Sequence, residues 1–357
     1  MNENMQDGLS STDEELEELL YSQKKSIKVI GSGGGGNNTI NRIQEVGIKG
    51  AETIAVNTDA QDLLYTEADK KILIGRDITE GTGAGADPSV GREAAKENSS
   101  EIKRAVKDAD MVFITCGLGG GTGTGSVPEI AKMAKKTGAL TVAIVTVPFD
   151  VEGEKRKQNA QEGLERLSQV VDTLIVIPND KLLEIAPNLP LNTAFKFADE
   201  ILTNAVKGIS ELVTKQGLVN LDFADIRTVM SDGGVSMIGL GESSSENRAE
   251  EAIERAVNNP LIDVDIKNAT GALVNIVGGE NLSLNESKEV IEVIDSLLSE
   301  DSKLIWGAQI SKDMGSLLRV MIIVTGVQSS QIMGKSHSLA DVEKSEVENE
   351  LGIQFVD

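Results

Sequence analysis

The chain has 357 residues, a length that suggests two domains at roughly 150 residues each. Asp and Glu outnumber Lys and Arg by 57 to 34, and the formal net charge of −23 excludes a nucleic-acid binder that works by neutralising phosphates. Hydrophobic residues make up 39% and aromatics only 3%, so the chain can build cores and must build them from aliphatic side chains.

In chain order, residues 1–25 form an acidic arm with seven acidic and two basic residues. The arm reads either as a mobile tail or as a short helix with Leu16, Leu19 and Leu20 on one face. It lacks the basic-then-apolar pattern of a leader, and no apolar stretch approaches the ~20 residues that span a bilayer. From residue 26, β-rich runs at 27–30, 53–56, 72–74, 111–115, 140–147 and 174–177 alternate with helical patterns at 39–46, 89–107, 127–136 and 154–169. That alternation predicts a parallel sheet covered on both faces, with ligands bound beyond the carboxyl ends of its strands. The first unit is placed at 26–189. A long helix follows at about 190–217, with Ala194, Ala198, Ile201, Ala205, Ile209 and Leu212 at helical spacing and further apolar residues widening the stripe. The second unit, 218–327, has strands at 235–240, 273–277, 304–310 and 317–327 and helices at 246–258 and 286–298. Its last two strands have no helix between them, which predicts a mixed sheet. The fold class is α/β, a parallel Rossmann-like sheet joined by a long central helix to a smaller mixed α+β domain. Residues 328–357 are a polar tail ending in a small apolar peptide, 351–357.

Cys116 and His337 are the only residues of their kinds. They allow no intrachain disulfide and too few ligands for a Cys/His zinc site, and they fit a reducing compartment. Cys116 reads as a small buried residue and His337 as a solvated one, and no residue is assigned as a metal ligand.

The chemistry lies in two glycine loops. Gly31-Ser32-Gly33-Gly34-Gly35-Gly36-Asn37-Asn38 follows the first strand and opens a helix that Asn37 or Asn38 could cap. Glycine N–H groups approach an anion with no Cβ in the way, and the helix end favours phosphate. Gly31, Gly33 and Gly36 also satisfy a dinucleotide fingerprint, with Asp59 as a candidate ribose acid, so an NAD enzyme stays open. Gly117-Leu118-Gly119-Gly120-Gly121-Thr122-Gly123-Thr124-Gly125 follows the fourth strand, with Ser126 and Glu129 as a capping box for the next helix. Two such loops in one sheet suggest a longer phosphate chain wrapped from two sides, with Thr122 and Thr124 offering hydroxyls to phosphate or a Mg²⁺ shell. A third segment, 81–88, could close over the terminal phosphate. There is no GxxxxGK[ST], so N–H groups, helix ends and Mg²⁺ must hold the charge. In Asn220-Leu221-Asp222-Phe223-Ala224-Asp225, Asp222 caps a helix and Asp225 sits in its first turn. The competing reading is that these carboxylates orient a water for attack on a phosphate.

The glycine loops, Asn57-Thr58-Asp59-Ala60, Pro178-Asn179-Asp180 and the segment Asn220 to Asp225 together resemble the FtsZ family of cell-division GTPases in the tubulin superfamily. The fourth strand and its exit are most similar to archaeal members. The resemblance covers about residues 27–327. It implies a GTP/GDP site with Gly34, Gly35, Gly36, Asn37 and Asn38 in the first loop and Gly119, Gly120, Gly121, Thr122 and Gly123 in the phosphate signature. Glu152 and Arg156 would contact ribose and nucleotide. Phe195 and Asp199 would form the guanine pocket, since a carboxylate can accept from guanine N1 and N2 but finds no such pair on adenine. Taken without the family, Glu152 and Arg156 are solvated helix charges and Phe195 is plain core. The resemblance further implies that Asp222, Asp225 and Asn220 of one subunit reach the GTP of the next, head to tail. Such a heterologous contact does not close and builds a filament. It implies Mg²⁺ held mainly by phosphates and water, a cytoplasmic protein acting at the mid-cell division site, and a membrane-anchoring or other division protein on the tail. A non-catalytic tubulin-like filament protein is the remaining alternative.

Overall fold

A computed structural model describes residues 25–48, 50–185, 190–215, 217–219, 221–262, 266 and 269–327. The arm before Lys25, Asn220 and the tail from 328 onward, with the expectations attached to them, lie outside the described residues.

The chain alternates strand and helix. It runs β1 (Ile27–Ser32), α1 (Gly33–Val46), β2 (Ala51–Asn57), α2 (Ala60–Tyr65), β3 (Lys70–Leu73), α3 (Arg76–Thr79), α4 (Pro88–Glu97), α5 (Ser99–Val106), β4 (Met111–Gly117) and α6 (Thr122–Lys135). Then come β5 (Leu140–Val147), α7 (Glu154–Ser168), β6 (Thr173–Pro178), α8 (Asn179–Ile185) and the long α9 (Leu191–Thr214). The remainder is α10 (Phe223–Met230), β7 (Gly234–Ser243), α11 (Arg248–Val257), β8 (Gly271–Gly278), α12 (Leu284–Leu297), β9 (Lys303–Ile310) and β10 (Leu318–Thr325).

The strands form one sheet in the order β3-β2-β1-β4-β5-β6-β7-β10-β8-β9. The first six are parallel, and the near-continuous burial of β4 and β5 is what a strand covered on both faces requires. β10 lies antiparallel between β7 and β8, and β9 is parallel to β8, so the second half is mixed as its pattern predicted. The sequence reading did not foresee that the halves share a sheet. Thr173, Leu174 and Ile175 of β6 pair with Gly234, Val235 and Ser236 of β7. Three residue pairs leave no trace in either strand's hydrophobic pattern.

At 24 residues α9 is about 36 Å long. Its stripe is buried as expected: Ala194, Ala198, Ile201, Ala205, Ile209 and Leu212 all lie inside. One apolar cluster joins Ile209 to Ile40 of α1, Ile144 of β5, and Leu273 and Ile323 of β8 and β10, so the helix packs against both halves. Among the described residues no helix is long and apolar enough to cross a membrane.

Three local expectations need correction. The helix expected from residue 39 begins at Gly33, so the glycines form its first turn and neither Asn37 nor Asn38 caps it. The helix expected from 127 begins at Thr122, which puts Ser126 inside it. The Ser126 hydroxyl bonds Ser32 Oγ at 2.7 Å and does not cap. The helical stretch at 89–107 is two helices, broken at Asn98, whose Oδ1 accepts from Gly75 N at 2.9 Å.

Candidate active site

The carboxyl ends of β1, β4, β5 and β6 open into a cleft of about 460 Å³. Two helices start at its floor, α1 at Gly33 and α6 at Thr122, and neither has a side-chain cap. Their first N–H groups therefore have no partner within the helix and face an anion-sized space, with the positive end of each helix behind them. The two loops touch. A side chain at Gly33 is excluded twice, by a φ of +71° and because a Cβ would stand 2.9 Å from Gly123 N. Gly121 N donates to Gly85 O at 3.0 Å, so the third glycine segment forms part of the same wall.

The other end of the cleft is built differently. Phe195 is 38% exposed and meets Phe149 edge to face, with ring centroids 5.2 Å apart. Asn179, at the end of β6, is 4% exposed and its Oδ1 has no partner. Burial pushes the Asp199 carboxyl up to about 6, against the lowering effect of Thr39 Oγ1 donating at 3.3 Å. On the rim, Arg156 pairs with Glu152 at 2.6 Å, and Glu152 also accepts from Phe149 N at 2.9 Å. An aromatic face, a carboxylate and a buried unpaired amide oxygen make one end an acceptor-lined slot for a flat heterocycle with N–H donors. The other end is lined with N–H donors suited to phosphates. Together they describe a purine nucleotide site.

The acidic loop sits elsewhere. Asp222 caps α10 by accepting from Ala224 N at 3.1 Å, Asp225 is in the first turn, and both are exposed. The helix is tied to the amino ends of β4 and β5. Arg227 donates to the main-chain carbonyls of Asp110 and Gly138 at 3.3 to 3.4 Å. The glycine loop Gly117 to Gly121 leaves the opposite end of β4. Seven strand residues at ~3.3 Å each separate the two by about 20 Å. No side chain spans that distance.

Comparison with known proteins agrees with this geometry. The model of the Tubulin/FtsZ family, GTPase domain, matches residues 26–187, and that of the FtsZ family, C-terminal domain, matches residues 234–328. Cell division protein FtsZ 1 of Methanocaldococcus jannaschii is 59% identical over 321 residues, 90% of this chain and 88% of that protein. The chain belongs to the FtsZ family. Cell division protein FtsZ of Methanothermobacter thermautotrophicus is 55% identical over 94% of this chain and 87% of its own length. A solved FtsZ dimer from M. jannaschii superposes with a TM-score of 0.85 at 58% identity, covering 89% of this chain and 93% of that one. CetZ2 from Haloferax volcanii, at 20% identity and a TM-score of 0.74, shares the fold.

With the FtsZ fold established, the residues expected at the nucleotide can be placed. Gly34, Gly35, Asn38, Gly120, Gly121, Thr122, Gly123, Glu152, Arg156, Phe195 and Asp199 line the cleft. Phe195 is therefore a wall residue and not plain core. Gly36, Asn37 and Gly119 stand behind the lining. Gly36 packs on Thr115 O and Gly31, Asn37 Nδ2 donates to Asp62 Oδ2 at 3.1 Å, and Gly119 N donates to Thr124 Oγ1 at 2.9 Å. That last bond turns the Thr124 hydroxyl inward, so it is not offered to phosphate. Thr122 Oγ1 bonds Thr58 Oγ1 at 2.6 Å. Asp59 caps α2 through Gln61 N and Asp62 N and does not line the cleft, which removes the candidate ribose acid of an NAD enzyme. Sequence reasoning missed Thr146, Pro148 and Ala198 as lining residues, and it named Ser32, Gly33 and Asn179 only as members of their motifs. The rule that ligands gather at strand carboxyl ends would have found Thr146, Pro148 and Asn179.

Proposed function

We propose that this chain is a polymerising GTPase of cell division. Its subunits assemble head to tail, and the acidic loop of one subunit completes the GTP site of the next. Guanine lies against Phe195 with its N1–H and N2–H on Asp199, Asn179 accepts a further donor, and Glu152 and Arg156 hold the ribose side. The phosphates lie over the N–H groups of Gly34, Gly35, Gly121, Thr122 and Gly123, with Gly36, Asn37 and Gly119 supporting them from behind. Asp222 and Asp225, with Asn220, orient the attacking water in the adjoining subunit. The separation of about 20 Å between the acidic loop and the glycine loops within one subunit carries this reading. Carboxylates that cannot reach their own nucleotide act on another's.

Among the described residues no group of three or more His, Cys, Asp or Glu side chains gathers to bind a metal. Mg²⁺ would come with the nucleotide and would supply charge neutralisation at the phosphates. Residues 26–189 act as the GTP-binding domain, 190–217 as the connecting helix and 218–327 as the donor of the acidic loop. The tail 328–357 carries the site for an anchoring or other division partner, and the protein works in the cytoplasm at the mid-cell division site.

The test is GTP hydrolysis per subunit across a concentration series, with sedimentation of the same samples. Turnover is expected to rise steeply with concentration and plateau as polymer forms. Turnover per subunit that stays constant from high dilution upward would overturn the shared site.

A further inference from the structure

The first turn of α10 is held by side chains that take no part in the nucleotide cleft. Phe223 follows Asp222 directly. Lys25 Nζ lies 5.3 Å from the centroid of its ring, and the Arg227 guanidinium carbon also lies 5.3 Å from it. Both cations are fastened to the amino end of the sheet. Lys25 pairs with Asp110 Oδ1 at 3.2 Å, and the adjoining Ser26 N donates to Asp110 Oδ2 at 2.9 Å. Arg227 donates to the carbonyls of Asp110, the residue before β4, and of Gly138, two residues before β5. Phe223 and Arg227 are four apart and share one helix face, while Asp225 lies on the far side of the same turn. Gripping one face of this turn therefore aims the carboxylates on the other.

We propose that Lys25, Phe223 and Arg227 form a clamp that positions Asp222 and Asp225 for hydrolysis in the adjoining subunit. The clamp rests on the shared-site reading above. Its physical basis is the ring quadrupole, which attracts a cation held over its face. The Asp110 carboxylate offsets the charge of Lys25, and the planar guanidinium of Arg227 lies on the ring while its fork donates to the carbonyls of Asp110 and Gly138, a flat contact that the compact ammonium of a lysine does not reproduce. Ile226, Val229 and Met230 bury the body of the helix. They fix its axis, and the clamp fixes the turn that bears the carboxylates. These are positioning residues, because none of them touches nucleotide.

The experiment measures GTP affinity and the plateau hydrolysis rate on the full chain. Phe223→Leu keeps the apolar contact but has no ring face, and Arg227→Lys keeps the charge but not the fork. Each is expected to lower plateau hydrolysis at least about tenfold, the scale on which small misplacements of reacting groups act. GTP affinity is expected to stay within about twofold, since the cleft lies about 20 Å away. Phe223→Trp, which offers a larger ring face, is expected to restore the rate. Wild-type hydrolysis in both Phe223→Leu and Arg227→Lys would sink the clamp, as would hydrolysis and GTP affinity falling together. Asp222→Ala in the same assay separates the two levels. If it is inactive while the clamp variants are normal, only the clamp fails; if it hydrolyses at the wild-type rate, the shared site fails and the clamp with it.

Discussion

In the proposed guanine pocket, Asp199 would tie recognition to pH. Its carboxyl titrates at about 6 because burial disfavours the charge. Only the ionised form can accept from both N1–H and N2–H of guanine, since the acid form has itself become a donor. If nucleotide binds the ionised form alone, the apparent Kd scales as 1 + 10^(6 − pH), where 6 is the value in the free protein. The factor is negligible at pH 7.5 and about tenfold at pH 5. The ligand's phosphates also titrate near pH 6 and add their own pH dependence. The informative quantity is therefore the difference between wild type and Asp199→Asn, which has no proton to exchange there. GDP binding followed by fluorescence anisotropy at pH 7.5, 6 and 5 is expected to show about a tenfold extra loss in wild type, and a weaker but less pH-sensitive Asp199→Asn. Parallel losses in the two proteins would refute the reasoning. The linked effect on stability has the opposite sense. A raised carboxyl pKa means that the native state holds a proton the unfolded chain has released between about 3.8 and 6, so nucleotide-free stability falls as pH rises through that window. The full shift corresponds to at most about 3 kcal/mol, less what solvent screens at a half-buried group. Asp199→Asn without nucleotide should accordingly gain stability over wild type at pH 7.5, and the gain should shrink toward pH 4.

Further predictions concern the supports of the site and of the second half. Arg248 is 6% exposed and donates to Glu286, Asn281 and Ser316 O, and its guanidinium holds the Glu286 carboxyl down to about 2. That stability is fully present above pH 4.5 and is lost as pH falls toward 2. Glu286→Gln is expected to cost up to about 3 kcal/mol in urea denaturation at pH 7 and little at pH 2. At Gly125 a Cβ would stand 2.0 Å from Pro88 O and 2.6 Å from Arg92 N, so α4 and α6 pack backbone to backbone. Gly125→Ala should destabilise the fold by roughly 1–3 kcal/mol. Because α6 begins at the phosphate loop, GTP affinity measured on the same sample should weaken too. Asp222→Ala should remove a cap, at about 1 kcal/mol by thermal denaturation, and nearly abolish hydrolysis while GTP still binds.

The parallel half was readable because its signals are local. Met111 to Ile114 is apolar throughout, Leu140 to Val147 is broken only by Thr141 and Thr146, and a glycine loop marks the carboxyl end of β4. What escaped was decided by distant partners. Ser126 has the spacing of a capping box, but Ser32, 94 residues earlier, takes its hydroxyl. Gly33 to Gly36 have poor intrinsic helix propensity and open the helix all the same, and Gly117 N and Thr115 O stand so close to Gly35 and Gly36 that Cβ atoms would be crowded there. The motif containing Asn179 was visible, but its buried, unpartnered Oδ1 is a property of the assembled cleft. In Phe195 the sequence offered two readings, core or guanine pocket. Only the exposure of the ring beside Asp199 separates them.

The sheet acts as a spacer, and this has a consequence for kinetics. One end of β4 carries the glycine loop and the other carries Asp110, to which α10 is tied, so every subunit presents the cleft at one end and carboxylates at the other. Such unlike ends join without closing. In a dimer only one of the two nucleotides faces a neighbour's carboxylates, whereas in a long filament all but the terminal one do. Turnover per subunit should therefore stand near half its plateau when dimers dominate and approach the plateau only as filaments lengthen. A two-fold symmetric dimer would behave differently, since both of its sites would be complete or neither would, and its turnover would saturate without polymer. Plotting hydrolysis against mean length from sedimentation distinguishes the two, because only the head-to-tail arrangement makes the rate a measure of length.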